Sequence, residues 1–358
     1  DVDIIVFTEY GLTTLVDNPE GYAIEFTNDN PILKKLSDLA SQHAIYIVVN
    51  LLEQVKENTK IKYYNTNLVY NRQGQIIAKY RKINLFNEPN LTAGNEMVTF
   101  STDFGVTFGV MTCFDILYHN PSRTLLDNSD VEDIVYPVAW FSTMPFYTAL
   151  TVQHGYFASN KVTLLAANYG EPQRGHGGSG IYVAKGNIAH IDINGAAGNT
   201  LIVHDIQKSK RKANRKNCVT TTSFGRHVSN KPADISDYLT YRDFKAADYQ
   251  FQDVDLTRGE VSTEICHGQI CCSFNITAEQ PPNTKEVYKL MAYEGKVIFD
   301  RSYVYIRVCS LLACQNETRD SCGARINGTT KFTKISVDGR VPKDGTTFYT
   351  PITLNYGL

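Results

Sequence analysis

Six of the eight cysteines lie between residues 266 and 322, as Cys266, Cys271, Cys272, Cys309, Cys314 and Cys322. That clustering divides the chain into a cysteine-poor first part and a second part that reads as a disulfide framework with fifteen possible pairings. Zinc is the competing reading. It lacks a CxxC pair, and His267 is the one histidine among these cysteines. Of the two other cysteines, Cys113 is in the first part, and Cys218 has no evident partner if the six pair among themselves. Sequons point the same way as the cysteines. Asn275, Asn316 and Asn327 each begin an Asn-x-Thr triplet in the second part, and Asn90 begins one in the first. Together with the disulfide pattern they predict a glycosylated protein of the secretory pathway, secreted or extracellular.

At 358 residues the chain is long enough for two domains. A net charge of −2 gives no push toward nucleic acid or an anionic membrane, and no stretch approaches the ~20 apolar residues of a membrane span. The first 206 residues alternate strand and helix signals, which predicts a layered α/β domain. Residues 3–7 form a short apolar strand that stops at Glu9. Residues 31–43 read as a helix opened by Pro31, with Leu33, Leu36, Leu39 and Ala40 on one face. Residues 45–50 are a buried strand, and 62–70 with 75–80 flank Asn71 to Gly74 as a hairpin. Strands follow at 131–137 and 163–168, a helix at 146–160, a hairpin at 180–191 and an edge-like strand at 200–206. The glycine-rich stretch 174–180 lacks the P-loop spacing and reads as a turn. Residues 208–218, with their run of Lys and Arg, are expected to be a solvated linker rather than a polyanion site. Residues 219–358 are expected to form a mostly β second domain, with strands at 287–293 and 303–309.

The run 105–115 is apolar and β-favouring and ends in Cys113, before a turn in which Pro121 suits the first position of a helix. Open α/β sheets place chemistry at such strand ends. Taken alone, Cys113 reads first as a buried structural thiol. Glu9 at another strand end equally suits a loop carboxylate, and Lys82, in the basic stretch 79–82, a solvated cation. Taken together, a thiol, a carboxylate and an amine form a complete set for acyl transfer from an amide. The carboxylate takes the thiol proton and returns it to the leaving amine, and the ammonium stabilises the oxyanion.

Several stretches carry a resemblance to the nitrilase superfamily, and within it to the vanin–biotinidase branch. They are Ile4-Ile5-Val6 to Glu9, Lys79-Tyr80-Arg81-Lys82 with Asn84-Leu85-Phe86, Gly109-Val110-Met111-Thr112-Cys113-Phe114-Asp115-Ile116-Leu117, Tyr136-Pro137 with Ala139-Trp140, and Gly178-Ser179-Gly180-Ile181-Tyr182. Cys266 with Cys271-Cys272, and Cys309 with Cys314 and Cys322, resemble that branch's accessory domain. The resemblance implies an α/β fold, a nitrilase-like αββα sandwich over residues 1–207, followed by a smaller β-rich, disulfide-stapled domain over 219–358. It implies that Cys113 is the nucleophile, Glu9 the base and acid, Lys82 the oxyanion stabiliser, Phe114 a backbone donor to the oxyanion and Glu88 the residue that orients Lys82. It sets Trp140 at the substrate pocket and leaves His154 to packing. The expected reaction is hydrolysis of a small-molecule amide through a thioester, without metal or organic cofactor. Pantetheine is the expected substrate; biotin amides, or a non-catalytic storage or binding glycoprotein on the same fold, are the alternatives. Thr8 stands where the family usually has proline. The family's first strand and helix have no counterpart before Asp1, so the chain is expected to be part of a longer one, and a lipid anchor is conceivable only on that condition.

Overall fold

The computed structural model describes residues 2–127, 130–184, 188–192, 198–207, 226–227, 239–242, 245–279, 285–299, 302–326 and 328–341. The basic stretch 208–218 with Cys218, and the sequon residue Asn327, lie outside them. Two compact units make up the chain. One is built from Asp1–Ser142 with Thr148–Thr240, the other mainly from Thr143–Tyr147 with Tyr241–Thr347.

The first unit is a sandwich of two sheets. One sheet has four strands in sequence order, β1 (Ile4–Val6), β2 (Tyr46–Glu57), β3 (Lys60–Tyr70) and β4 (Ile76–Arg81), with β1 parallel to β2 and the rest antiparallel. The other contains β5 (Val98–Ser101), β6 (Thr107–Val110) and β7 (Asp133–Pro137), followed in space by Thr163–Ala167, Ser179–Val183, Ile188–Asp192 and Arg226–His227. The β2 run is apolar on both faces because both are covered. Tyr46 and Val48 pack with Val69, Ala78 and Tyr80 against Phe108, Val110, Val135 and Leu165 of the second sheet. Ile47, Val49 and Leu51 face the other way, toward Leu33, Leu36 and Ala40 of helix α1 (Pro31–His43). The helix has the extent its periodicity predicts. Asn30 caps it by accepting from the Ile32 and Leu33 amides, and Pro31 takes the first turn. The helix Ala149–Asn160 packs on the second sheet, which completes an α/β/β/α layering.

Two expectations fail here. Pro121 does not open a longer helix. The chain makes two short turns, His119–Ser122 and Thr124–Asp127, and Asn120 before the proline is extended (φ −103°, ψ 120°), as the residue preceding proline prefers. Residues 200–206 are irregular rather than a strand, with Leu201 and Val203 exposed. A β-favouring composition supplies no neighbour to pair with. The pattern also hides strand length: β2 runs on past Asn50 to Glu57 because its hairpin with β3 continues through charged residues.

The second unit is mostly β. One three-stranded sheet contains Gln250–Asp253, Val287–Phe299 and Ser302–Cys314; another contains Glu260–His267, Ile270–Ala278 and Phe332–Arg340. Leu290 and Ala292 pack with Phe274 and Ile276 of the second sheet, while the alternate residues Met291 and Tyr293 pack with Tyr249 and Phe251. The six clustered cysteines form three disulfides. Cys266–Cys271 crosses a hairpin, Cys272–Cys309 joins the two sheets and Cys314–Cys322 closes a turn. None of these sulfurs is a thiolate available to a metal.

Candidate active site

Three strand ends of the first unit converge. Glu9 follows β1, Lys82 directly follows β4, and Cys113 begins a 3-10 turn, Cys113–Leu117, just beyond β6. All three are buried, at 1%, 2% and 6% exposure. Lys82 Nζ donates to Glu9 Oε1 at 2.8 Å and to Glu88 Oε2 at 2.9 Å. Burial alone would lower the amine, but the Glu88 and Glu9 carboxylates outweigh it and hold Lys82 well above its ordinary pKa. Glu88 is held below its ordinary value: burial raises it, and Lys82, Tyr10 and Asn65 together overcome that. Lys82 is therefore a fixed cation between two anions. Gly94 pins the same strand end. Its N–H donates to the Lys82 carbonyl at 2.8 Å, and a side chain at Gly94 would collide with the Arg81 carbonyl.

Cys113 has φ +44°, in the left-handed region that non-glycine residues avoid. The surrounding contacts over-determine that conformation. Tyr136 Oη donates to the Cys113 carbonyl at 2.6 Å. Asp115 accepts the Thr112 amide, the Tyr80 hydroxyl, and the Asn84 amide and side chain, at 2.6–3.0 Å. Such strain, on the order of 1–3 kcal/mol, persists where a side chain has to be presented at one point. Burial and the neighbouring Glu9 carboxylate raise the Cys113 thiol well above its ordinary pKa; Lys82 and the Ala139 amide pull it down. The resting group is a thiol hydrogen-bonded to Glu9, so its proton has a defined acceptor. Transfer of that proton leaves the net charge of the cluster unchanged.

Behind the triad lies a polar network that the sequence reading did not anticipate. Asn50, Asn65 and Asn67 are all fully buried, and Asn50 Nδ2 donates to the Oδ1 of both others. Asn65 Nδ2 donates to Glu9 Oε1 at 2.8 Å and to Glu88 Oε1 at 2.9 Å, and Asn67 donates to Thr112 beside the cysteine. Tyr10 donates its amide to Asn50 and its hydroxyl to Glu88. The signal was there: Asn65 and Asn67 alternate on one face of a strand that is apolar around them, and Asn50 interrupts an apolar run. Buried amides in a sandwich core have to be paired.

Of the other anticipated residues, Phe114 is 2% exposed, its ring 4.9 Å from that of Phe86, and it sits at the start of the turn, where the first amides point out of the helix. Trp140 is 4% exposed, with its amide held by Asn168 at 2.8 Å. Ala139, immediately before it, donates to Glu9 Oε2 at 3.0 Å. His154 is buried and its ring packs against Phe157 and Tyr182.

The profile of the Carbon-nitrogen hydrolase family matches residues 1–216, and that of the Vanin C-terminal domain matches 238–358. The chain belongs to the carbon-nitrogen hydrolases, as a vanin-like member of the nitrilase superfamily. Vanin-like protein 1 of Drosophila melanogaster is 32% identical over 99% of this chain and 71% of its own length. Human pantetheinase is 31% identical over 90% of this chain, which aligns with 64% of that protein. The crystal structure of Saccharomyces cerevisiae Nit3, a member of branch 10 of the nitrilase superfamily, aligns with 52% of this chain and 71% of its own at 22% identity, TM-score 0.45.

Proposed function

We propose that the protein hydrolyses a linear amide through a cysteine thioester, with pantetheine as substrate and pantothenate and cysteamine as products. The observation that carries this reading is the buried ion triplet Glu9–Lys82–Glu88 beside the thiol of Cys113. Glu9 removes the Cys113 proton as sulfur attacks the amide carbonyl. Lys82 and the Phe114 amide face the oxyanion that develops. Glu9 then protonates the departing amine, and next deprotonates the water that releases the acid. As the thioester C–S bond breaks, Glu9 passes the water proton to the Cys113 sulfur, which restores the resting thiol and carboxylate. The substrate assignment is supported by the pantetheinases among the relatives.

The test is hydrolysis of pantetheine and biocytin, offered separately to the purified protein, with Cys113→Ala as control and products read by mass spectrometry. Cysteamine released by the wild type alone, with an acyl mass on the Cys113 peptide, is the expected result. Lysine release from biocytin would transfer the reading to biotin amides. No turnover of either substrate, together with Cys113 alkylation no faster than that of an ordinary thiol, would leave a non-catalytic glycoprotein.

Three disulfides and the vanin relatives support an extracellular location, and among the described residues no helix is long and apolar enough to cross a membrane. Asn90, Asn275 and Asn316 are exposed, so each is open to glycosylation. Expression in a secretory host should give glycosidase-sensitive masses on these three peptides. Their absence would argue against the extracellular reading.

A further inference from the structure

Besides the Cys113 thiol, three nitrogen donors reach Glu9, and two of them fall on one oxygen. Lys82 Nζ and Asn65 Nδ2 both reach Oε1 at 2.8 Å. A carboxylate oxygen offers about two lone-pair directions, so Oε1 is full and the thiol proton has to go to Oε2. The Ala139 amide occupies one direction of Oε2, at 3.0 Å. The same amide acts on the Cys113 sulfur in the sense that favours the thiolate. One backbone N–H thus acts on both base and nucleophile.

That amide belongs to an irregular stretch, residues 138–141, held by backbone only at its ends, where Val138 N–H donates to the Ala167 carbonyl at 2.9 Å and Phe141 bridges to His176. Between those ends side chains hold it. Asn168, at 6% exposure, grips the peptide units on both sides of Trp140: Oδ1 accepts the Trp140 amide at 2.8 Å and Nδ2 donates to the Trp140 carbonyl at 3.2 Å. Its remaining capacity is used on the Tyr169 amide at 2.9 Å and the Gly177 carbonyl at 2.6 Å. His176, also 6% exposed, hydrogen-bonds the Ala139 backbone, and its own backbone bridges to Phe141. Among the described residues its Nδ1 has no hydrogen-bond partner, and burial keeps the ring neutral, with a pKa lowered to about 4.

We propose that Asn168 and His176 are positioning residues for the general base. They fix the 138–141 turn so that the Ala139 amide holds Glu9 Oε2 with its open lone pair on the Cys113 thiol. The proposal rests on the thiol-hydrolase reading above. Neither side chain is assigned a contact with the reacting atoms; both act through Ala139.

Two variants test it. Asn168→Asp keeps the acceptor for Trp140 and removes the donor to the two carbonyls. His176→Phe keeps ring bulk and removes the bond to Ala139. After a check of folding by thermal unfolding, the rate of Cys113 modification by iodoacetamide is followed by peptide mass spectrometry from pH 6 to 9. The wild type should react with a shallow pH dependence, because Glu9 takes the proton internally. Each variant should react roughly 10- to 100-fold more slowly at pH 7, a part of the 10²–10⁴ that a positioned base contributes. Its rate should rise about tenfold per pH unit, as for a thiol without a base. Wild-type rates and pH profiles in folded variants would overturn the proposal while leaving the hydrolase reading intact. A wild type that itself reacts like an unassisted thiol would overturn both. If neither variant folds, hydrogen exchange of the wild type decides. Protection of residues 138–141 equal to that of the core strands is expected, and exchange at open-loop rates would overturn the proposal.

Discussion

Lys82 meets Glu9 across 73 positions of sequence, Nζ to Oε1 at 2.8 Å, with both side chains 2% exposed. Neither charge has water to fall back on, and Glu88 on the other side of the ammonium makes the cation the keystone of three buried charges. Removing one member of such a set leaves the others uncompensated, at a cost of about 3–5 kcal/mol. Lys82→Met should therefore lower the melting temperature markedly and reduce amide hydrolysis by at least about 10²-fold, the scale of losing one oxyanion donor. Thermal unfolding and turnover on the same preparation check both. A variant of native stability and activity would mean the ammonium is a bystander.

Glu9 gives the second prediction, in pH. The Cys113 thiol is held well above its ordinary value, first by burial and then by the Glu9 carboxylate. With Glu9 in place the proton moves internally, and alkylation should vary little between pH 6 and 8. In Glu9→Gln the proton has to leave to solvent, so the rate at neutral pH should drop and climb with pH. Parallel profiles for the two proteins would remove Glu9 from the role of base.

Asp133 at the start of β7 offers a stability test independent of catalysis. Burial raises its pKa to about 6, against Thr163, which pulls it down; an unfolded aspartate titrates near ~3.9. Between those values the folded chain binds more proton than the unfolded one. Asp133 therefore costs stability progressively as pH rises from ~3.9 to about 6, and that cost persists above this window. Asp133→Asn should raise the melting temperature by several degrees at pH 7 and by little at pH 4, as measured by scanning calorimetry. An equal shift at both pH values would place the effect in packing instead.

The disulfides should differ in what they contribute. Cys272–Cys309 closes a separation of 37 residues and joins two sheets, whereas Cys266–Cys271 closes 5 within one hairpin. Chain-entropy arithmetic gives about 4 kcal/mol for the long loop and about 2 kcal/mol for the short one. Replacing Cys272 and Cys309 together by alanine should lower the denaturant midpoint by more than the same change at Cys266 and Cys271. The reverse order would mean that the sheets are held by their packing alone.

Helix α1 was legible because its cap, its proline and its apolar face are all local. So were the cysteine cluster and the β character of the second unit. The cores of the two sheets were legible only as apolar runs. That Val48 faces the second sheet while Val49 faces α1 follows from the pleat once the layers exist. The strand at 200–206 failed for the same reason in reverse, since a run has no partner until tertiary structure supplies one.

The sequence by itself determined the chemistry available to this protein: a thiol at Cys113, a carboxylate at Glu9 and an amine at Lys82, each at the end of a strand, and the cysteines that staple the second unit. Only the tertiary structure decided what those groups are. Lys82 is an obligate cation because two carboxylates share its ammonium. Cys113 is a protonated thiol because it is buried beside one of them. Glu9 presents one oxygen and not the other because Lys82 and Asn65 fill Oε1 while a backbone amide 130 positions away, at Ala139, shares Oε2. Hydrogen-bond direction and desolvation depend on neighbours in space, and the order of residues along the chain does not specify them.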